Sequence, residues 1–544
     1  CNGEIYNYRD LYAHLGTKPT TDSDCEVILH LYEKYDIEHT LQLLDGVFSF
    51  VLIDYRFDKT VSKLFVARDP YGVRPLYQLY SKINDYDDER TYVFASEIKV
   101  LTEFQKQMND NDEEAVIEAF PPGSVSTYDL PFKVSPYWSY LGTKQYHSMP
   151  FSSIIENIDV EKHYSMDKIA ANIQHYFRSA VEKRCSTTDR PIACLLSGGL
   201  DSSLVAALVN EYHIKHGLPT IETYSIGLAG SVDLMYAKIV ANYLGTKHTE
   251  IVVTESDFLE AIPEVIYSIE SYDTTTVRAS IGNWLVGKYI AANSEAKVIF
   301  NGDGADELAG GYLYTRFAKN SLEFDHECRR LLKDIHKFDV LRSDKCIASH
   351  GLEPRTPFLD RAWVQYYLSL PAEIRFHGNK EMGNNMEKYL IRYAFSIPYF
   401  KNHNGKDLLP DNVLWRKKEA FSDGVSKEAR SLYEIIQENI ETLFKKVIKE
   451  KENNMNIFTF TLKQIYETGS LSSHHMKVFG HHLPPTTKEQ FYYRYLFHSC
   501  YPDAENVVPY FWMPKFVEAT DASARTLECY RQHYYDVTEQ GLSI

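Results

Sequence analysis

Cysteine is sparse and unpaired in this sequence: eight residues are scattered through 544, with no Cys-x-x-Cys. That spacing excludes a zinc ribbon and a disulfide framework, and it fits a reducing cytosol. Positive charge is the scarcer sign. Lys and Arg number 58 against 75 Asp and Glu, a net charge of −17, and no basic block offsets it. Nucleic acid is therefore excluded as the main partner. No apolar run approaches the length of a membrane span, so no membrane partner is expected, and no secretory pattern is legible. Gly-Lys-Ser/Thr occurs nowhere, so no Walker A lysine reaches for β- and γ-phosphates. The chain opens at Cys1, without Met and already inside a patterned segment, and the expectation is that further residues precede it.

What is present is bulk and aromaticity. The length calls for two to four domains. The 41 Tyr and 28 Phe favour large cores with polar handles. Residues 1–140 read mainly as β: the runs 47–53, 63–68 and 91–95 are short, β-branched and aromatic. One helix is expected over 24–34, where Val27, Ile28 and Leu31 share a face, and 81–90 and 106–114 read as surface loops. From about 165 the pattern changes. Helical periods at 168–184, 202–214, 233–244 and 279–293 alternate with apolar runs at 191–196, 220–227, 248–253 and 298–300. This alternation predicts a doubly wound parallel sheet with ligands at the strands' carboxyl ends. The rest reads as helical, with a polar insertion at 445–485 of no assigned structure. His474, His475, His481 and His482 lie there, and their irregular spacing reads as an exposed loop rather than a metal site.

Ser197-Gly198-Gly199-Leu200-Asp201-Ser202-Ser203 joins the strand-like 191–196 to the helix-like 204–209. Glycines let main-chain N–H groups turn toward one point, a helix N-terminus adds partial positive charge, and three hydroxyls add donors. A carboxylate at Asp201 would repel phosphate unless a cation lay between them, so the loop reads as a joint site for Mg²⁺ and a polyphosphate. It resembles the PP-loop of the ATP pyrophosphatases, which split ATP between the α- and β-phosphates.

Further motifs make the resemblance specific. They are Asn2-Gly3-Glu4-Ile5-Tyr6-Asn7, Arg68-Asp69-Pro70-Tyr71-Gly72-Val73-Arg74-Pro75-Leu76, Ala95-Ser96-Glu97, and Thr274-Thr275-Thr276-Val277-Arg278. They continue with Gly302-Asp303-Gly304-Ala305-Asp306-Glu307, Gly351-Leu352-Glu353-Pro354-Arg355-Thr356-Pro357-Phe358-Leu359-Asp360, and Trp415-Arg416-Lys417-Lys418-Glu419-Ala420-Phe421-Ser422-Asp423-Gly424. In this order, nearly end to end, they resemble the glutamine-hydrolysing asparagine synthetases. The resemblance implies an α+β, Ntn-hydrolase-type glutaminase sandwich over 1–145, a linker over 146–164, and an α/β PP-loop synthetase domain with a helical C-terminal part over 165–544. It implies activation of aspartate by ATP to β-aspartyl-AMP, and ammonia from glutamine carried through a tunnel to displace AMP. By analogy it also implies a cytoplasmic homodimer.

Residue by residue, the resemblance makes Asp201 and Asp306 the Mg²⁺ ligands. Leu195, Ile226 and Gly302 would line the adenosine; Ser197, Gly198, Gly199, Ser202, Ser203 and Asn301 would hold ATP and pyrophosphate. Arg278 and Lys418 would stabilise charge on the departing pyrophosphate, with Thr275 and Arg278 also contacting aspartate. Asp303 stands where many relatives have Glu, at a position linked to adenylate formation and the ammonia proton. For Asp306 the alternative is helix N-capping, for Leu195 and Ile226 core packing, and for Arg278 and Lys418 surface salt bridges.

In the first domain, Asn2 and Gly3 match the oxyanion donors, and Glu4 and Asp24 match glutamine-binding positions. The family's nucleophile is an N-terminal cysteine. Cys1 adjoins the oxyanion strand itself, so it is not expected to serve, and this chain is expected to use free ammonia. A β-lactam synthetase-like ligase and a catalytically silent homologue are the competing readings.

Overall fold

The computed structural model describes residues 1–55, 61–81, 91–111, 114–131, 137–153, 164–377, 386–396, 400–418, 430–469, 482–523 and 526–527. The chain forms two compact units. One comprises Cys1–Pro150 with Lys333–Asp344 and Tyr501–Val507; the other comprises Phe151–Leu332, Lys345–Cys500 and Val508–Ile544.

The first unit begins with β1 (Asn2–Ile5) and three helices, α1 (Tyr8–Leu15), α2 (Val27–Lys34) and α3 (Ile37–Leu43). It continues through β2 (Gly46–Asp54), β3 (Ser62–Arg68), β4 (Tyr77–Ser81), β5 (Tyr92–Ala95), α4 (Ile98–Asp110), β6 (Ala115–Ala119), β7 (Ser124–Leu130) and β8 (Ser139–Gln145). Antiparallel pairing gives one sheet ordered β1-β2-β3-β7-β8 and another ordered β5-β4-β6. Alternation along the strands builds the layers. Phe48, Phe50 and Phe65 pack on Leu11, Val27, Leu31 and Leu41 of the helices. Val66 and Tyr128 turn the other way, onto Leu76, Phe120, Tyr92 and Phe94. The sandwich is the one expected, but the described residues of 1–140 hold four α-helices rather than one. The loop expected over 106–114 is wrong for Lys106–Asp110, which belong to α4. Its polar residues face out while Ile98, Leu101, Gln105 and Met108 repeat on the buried side at helical spacing.

The second unit contains the parallel sheet: β9 (Ile192–Leu195), β10 (Glu222–Leu228), β11 (Lys247–Val253), β12 (Val298–Phe300) and β13 (Glu353–Arg355), ordered β11-β10-β9-β12-β13. All four pairings are parallel. The chain winds outward from β9 to β11, then returns to place β12 on the other side of β9. That reversal is a topological switch point, the place at which open parallel sheets bind ligands.

Among the described residues, the insertion at 445–485 holds the end of one helix and all of a second, joined by a turn. Leu432–Glu450 is opened by a capping box between Ser431 and Glu434, and Ile457–Thr468 follows. His474, His475 and His481 lie outside the described residues. His482 Nε2 donates to the Val508 carbonyl at 2.8 Å. Among the described residues no group of three His, Cys, Asp or Glu could hold a metal ion, and no helix is long and apolar enough to cross a membrane.

Candidate active site

The candidate site lies where the loops that leave β9 and β12 meet. After Leu195 the chain turns through Ser197–Gly199 into the helix Leu200–Lys215, with Gly199 as N-cap. Gly198 has φ +72°, and a Cβ there would lie 2.4 Å from the Ala237 nitrogen. Both conformation and space therefore demand glycine. Ser197 and Ser202 close the loop on itself: their hydroxyls are 3.0 Å apart, and Ser197 N–H donates to Ser202 Oγ at 3.2 Å. Ser203 Oγ is buried with no hydrogen-bond partner among the described residues. A serine hydroxyl left this way has unspent donor capacity.

From the other side, Asn301 Oδ1 accepts Asp303 N–H at 3.2 Å, and Asn301 N–H donates to the Arg355 carbonyl at 3.2 Å. Asn301 thus shapes the turn after β12. Gly302 brings that turn against the first loop: a Cβ there would sit 2.8 Å from both Asp201 Cβ and Ser202 N. The short helix Ala305–Ala309 follows, with Gly304 as its N-cap. Asp306 therefore does not cap it.

Its carboxylate instead meets two lysines. Lys418 Nζ lies 2.5 Å from Asp306 Oδ2. Lys388 Nζ bonds Asp306 Oδ1 and lies 2.5 Å from Asp201 Oδ2. Burial alone would raise the Asp306 carboxyl, but Lys388 and then Lys418 outweigh it and hold it well below the ordinary carboxylate range. Lys418 is pulled down by burial and pushed further up by Asp306 and Asp201, so it stays charged. Asp201 Oδ1 is buried with no hydrogen-bond partner among the described residues.

Two carboxylates thus converge on one ammonium, and one carboxylate oxygen has lone pairs to spare. Those donors fit a divalent cation, which takes carboxylate oxygens and shares phosphate oxygens with its ligand. Lys388 holds a left-handed backbone, φ +57°, uncommon for a residue with a Cβ. Lys388 was missed in the sequence because the short run Met386-Glu387-Lys388 carries no glycine turn or motif.

The other expected site residues divide. Leu195 and Ile226 join an apolar cluster with Tyr224, Ile251, Val286 and Ile290. Thr275 lies in the first turn of the helix Thr274–Asn293, which starts before the expected residue 279. Asp273 caps it, accepting Thr276 N–H at 2.8 Å and Trp512 N–H at 2.7 Å. Thr275 Oγ1 has no hydrogen-bond partner among the described residues. Arg278 is engaged by carboxylates rather than open to a ligand. It pairs with Glu489 at 2.8 and 2.6 Å and with Asp521 at 2.7 and 3.0 Å, above the Tyr433 ring.

In the first unit, Asn2 Nδ2 donates to Ser96 Oγ at 3.0 Å, and Asp24 Oδ2 accepts Ile5 N–H at 2.5 Å. Gly3 has no room for a side chain, since a Cβ would lie 2.2 Å from the Val47 carbonyl oxygen. Cys25, whose Sγ lies 3.6 Å from the Gly3 carbonyl, has its thiol pushed up to about 12 by burial and then by Asp24 and Glu4. It is a poor nucleophile.

Comparison with known proteins now bears on this site. The asparagine synthase family profile matches residues 172–325 and 316–506, and the glutamine amidotransferase domain profile matches 1–135. The asparagine synthetase [glutamine-hydrolyzing] of Gallus gallus is 39% identical over 538 residues, covering 97% of this chain and 86% of that protein. The proteins of that name from Cricetulus griseus and Homo sapiens are 38% and 37% identical, with the same coverage of each chain. Solved structures resemble the chain more loosely: NAD+ synthetase from Burkholderia pseudomallei covers 41% of this chain, which covers 90% of it, at 14% identity and a TM-score of 0.21.

Proposed function

The chain belongs to the glutamine-hydrolysing asparagine synthetase family, and from that premise we propose that it converts aspartate to asparagine at the expense of ATP. A carboxylate oxygen of aspartate attacks the α-phosphorus. The bond to the β-phosphate breaks, and pyrophosphate leaves with the electron pair. Ammonia then attacks the acyl carbon of β-aspartyl-AMP, and AMP departs. The nitrogen is that of ammonia; in this family glutamine supplies it through the amidotransferase domain, where Asn2 and Gly3 would face the oxyanion and Glu4 and Asp24 the substrate.

The observation that carries this reading is the convergence of Asp201 and Asp306 on one cation at the switch point, with Asp201 Oδ1 and Ser203 Oγ buried and unpartnered. Asp201 and Asp306 would hold Mg²⁺, which when bound offsets charge on the polyphosphate. Ser197, Gly198, Gly199, Ser202 and Ser203 would cradle the phosphates, and Leu195, Ile226, Asn301 and Gly302 would border the nucleoside. Lys418 and Lys388 stabilise the charge that moves onto pyrophosphate, and their fixed position spares the reaction a reorganisation cost. Asp303 would take the ammonia proton. Thr275 has a hydroxyl to offer aspartate. Arg278 would serve it if a substrate carboxylate displaced Asp521, the more exposed of its two partners, with 15% of its side chain exposed against 1% for Glu489. The seven described cysteines are free thiols, which fits a reducing compartment.

The test is pyrophosphate release from Mg-ATP and aspartate, run with ammonium or with glutamine. Aspartate-dependent release with either donor supports the proposal. A folded protein that binds Mg-ATP but releases none with either donor would refute it.

A further inference from the structure

Arg392 lies outside every motif, is 1% exposed, and sits in the helix Tyr389–Ser396. Its guanidinium spends its donors on two other segments. Nε donates to the Glu387 carbonyl at 2.9 Å, Nη2 to the Glu387 carboxylate, and Nη1 to the Leu414 carbonyl. Glu387 immediately precedes Lys388, and Leu414 lies four residues before Lys418. One planar group therefore joins the turn that carries one site lysine to the segment that carries the other. The second segment has a further anchor, since Arg416 pairs with Asp233 at 2.9 Å and stacks over Tyr236 at 4.1 Å. The Lys388 turn has a strained residue and is held from within by Arg392.

Glu387 supplies the second half of the argument. Its side chain is 6% exposed, and its charge is close enough to help hold Lys418 protonated. A buried carboxylate without its own cation would turn to the nearest ammonium groups, because an unpaired buried charge is costly. One such group is Lys418, whose charged form Glu387 already favours and which a polyphosphate needs. We propose that Arg392 is the positioning residue of this site: it ties the Lys388 turn to the Lys418 segment and keeps the Glu387 carboxylate from competing with phosphate for the Lys418 ammonium. The proposal rests on the reading of the site as a polyphosphate cradle.

The test is calorimetric binding of inorganic pyrophosphate with Mg²⁺ to the full chain. It compares the parent, Arg392→Ala, Glu387→Gln and the double variant, with thermal unfolding followed for each. Arg392→Ala is expected to weaken pyrophosphate binding about tenfold or more, Glu387→Gln alone by less than about threefold, and the double variant to recover part of the loss, the remainder reporting the missing tie to Leu414. A residue that merely supports the fold gives the opposite pattern, since losing both partners is then no better than losing one. Should Arg392→Ala fail to fold, Arg392→Lys serves. It keeps a charge near Glu387 but cannot span to Leu414, so it is expected to bind pyrophosphate between the parent and Glu387-competed levels, and removal of Glu387 is expected to improve it. Arg392 variants that bind like the parent, or a double variant as weak as the single, overturn the proposal. If the parent itself binds no pyrophosphate, the cradle reading falls as well.

Discussion

Two of the buried charge clusters in the second unit, around Arg278 and around Asp306, are built to opposite rules. Around Arg278 all three guanidinium nitrogens are engaged: they donate four N–H bonds to Glu489 and Asp521, and Gln437 also donates to Glu489. Around Asp306 the account does not close. Two carboxylates share one ammonium, Lys388 is strained, and Asp201 Oδ1 and Ser203 Oγ have no partner among the described residues. Leaving buried polar atoms unsatisfied costs about 1–3 kcal/mol each. A closed network holds the fold; an open one of this kind has polar atoms left for a ligand.

The contrast can be broken most strongly at Arg278. Arg278→Met leaves Glu489 as an unpaired buried carboxylate and is expected to cost about 3–5 kcal/mol of stability, read as a large fall in thermal midpoint. Lys418→Ala should do the reverse. Pyrophosphate release should drop about 10²–10³-fold with a much smaller change in midpoint. If Lys418→Ala unfolds the protein and Arg278→Met leaves it stable, the two clusters have been assigned the wrong way round.

Gly198→Ala tests the cradle's backbone. The added methyl meets the Ala237 nitrogen in a left-handed conformation, so a stability loss of about 1–3 kcal/mol and weaker Mg-ATP binding are expected by calorimetry. Acid titration gives the smallest and most specific effect. Asp306 has a depressed carboxyl, so its ionised form contributes stability above the ordinary carboxylate value of about 3.9, lost as pH falls through the depressed value. Lys418→Met removes one of the cations that depress it. The acid limb of Mg-ATP binding should therefore move to higher pH. A limb that stays in place would mean that Lys418 does not govern Asp306.

The sequence made the parallel sheet legible because βαβ periodicity is local, and the cradle legible because glycines and hydroxyls cluster within seven residues. Asp306 was legible through its own glycine turn. Lys388 was not: it reaches Asp201 across 187 positions, and nothing in its neighbours' chemistry marks that approach. Arg278 shows the converse. Its motif is plain in the sequence, but its partners Glu489 and Asp521 come from segments more than 200 residues away, so its closure could not be read locally. Likewise α4 was hidden because polar residues at Lys106–Asp110 outweighed the spaced contacts of Leu101, Gln105 and Met108.

We propose that aspartate's own carboxylate attacks the α-phosphorus in the cradle between β9 and β12. It is tested most directly by supplying aspartate with ¹⁸O in its side-chain carboxylate, together with Mg-ATP and ammonium, and weighing the AMP formed. The expected result is one ¹⁸O in each AMP, because the oxygen that joined the phosphorus leaves with it when ammonia attacks carbon. Label-free AMP, or label found in the pyrophosphate or in phosphate, would contradict it.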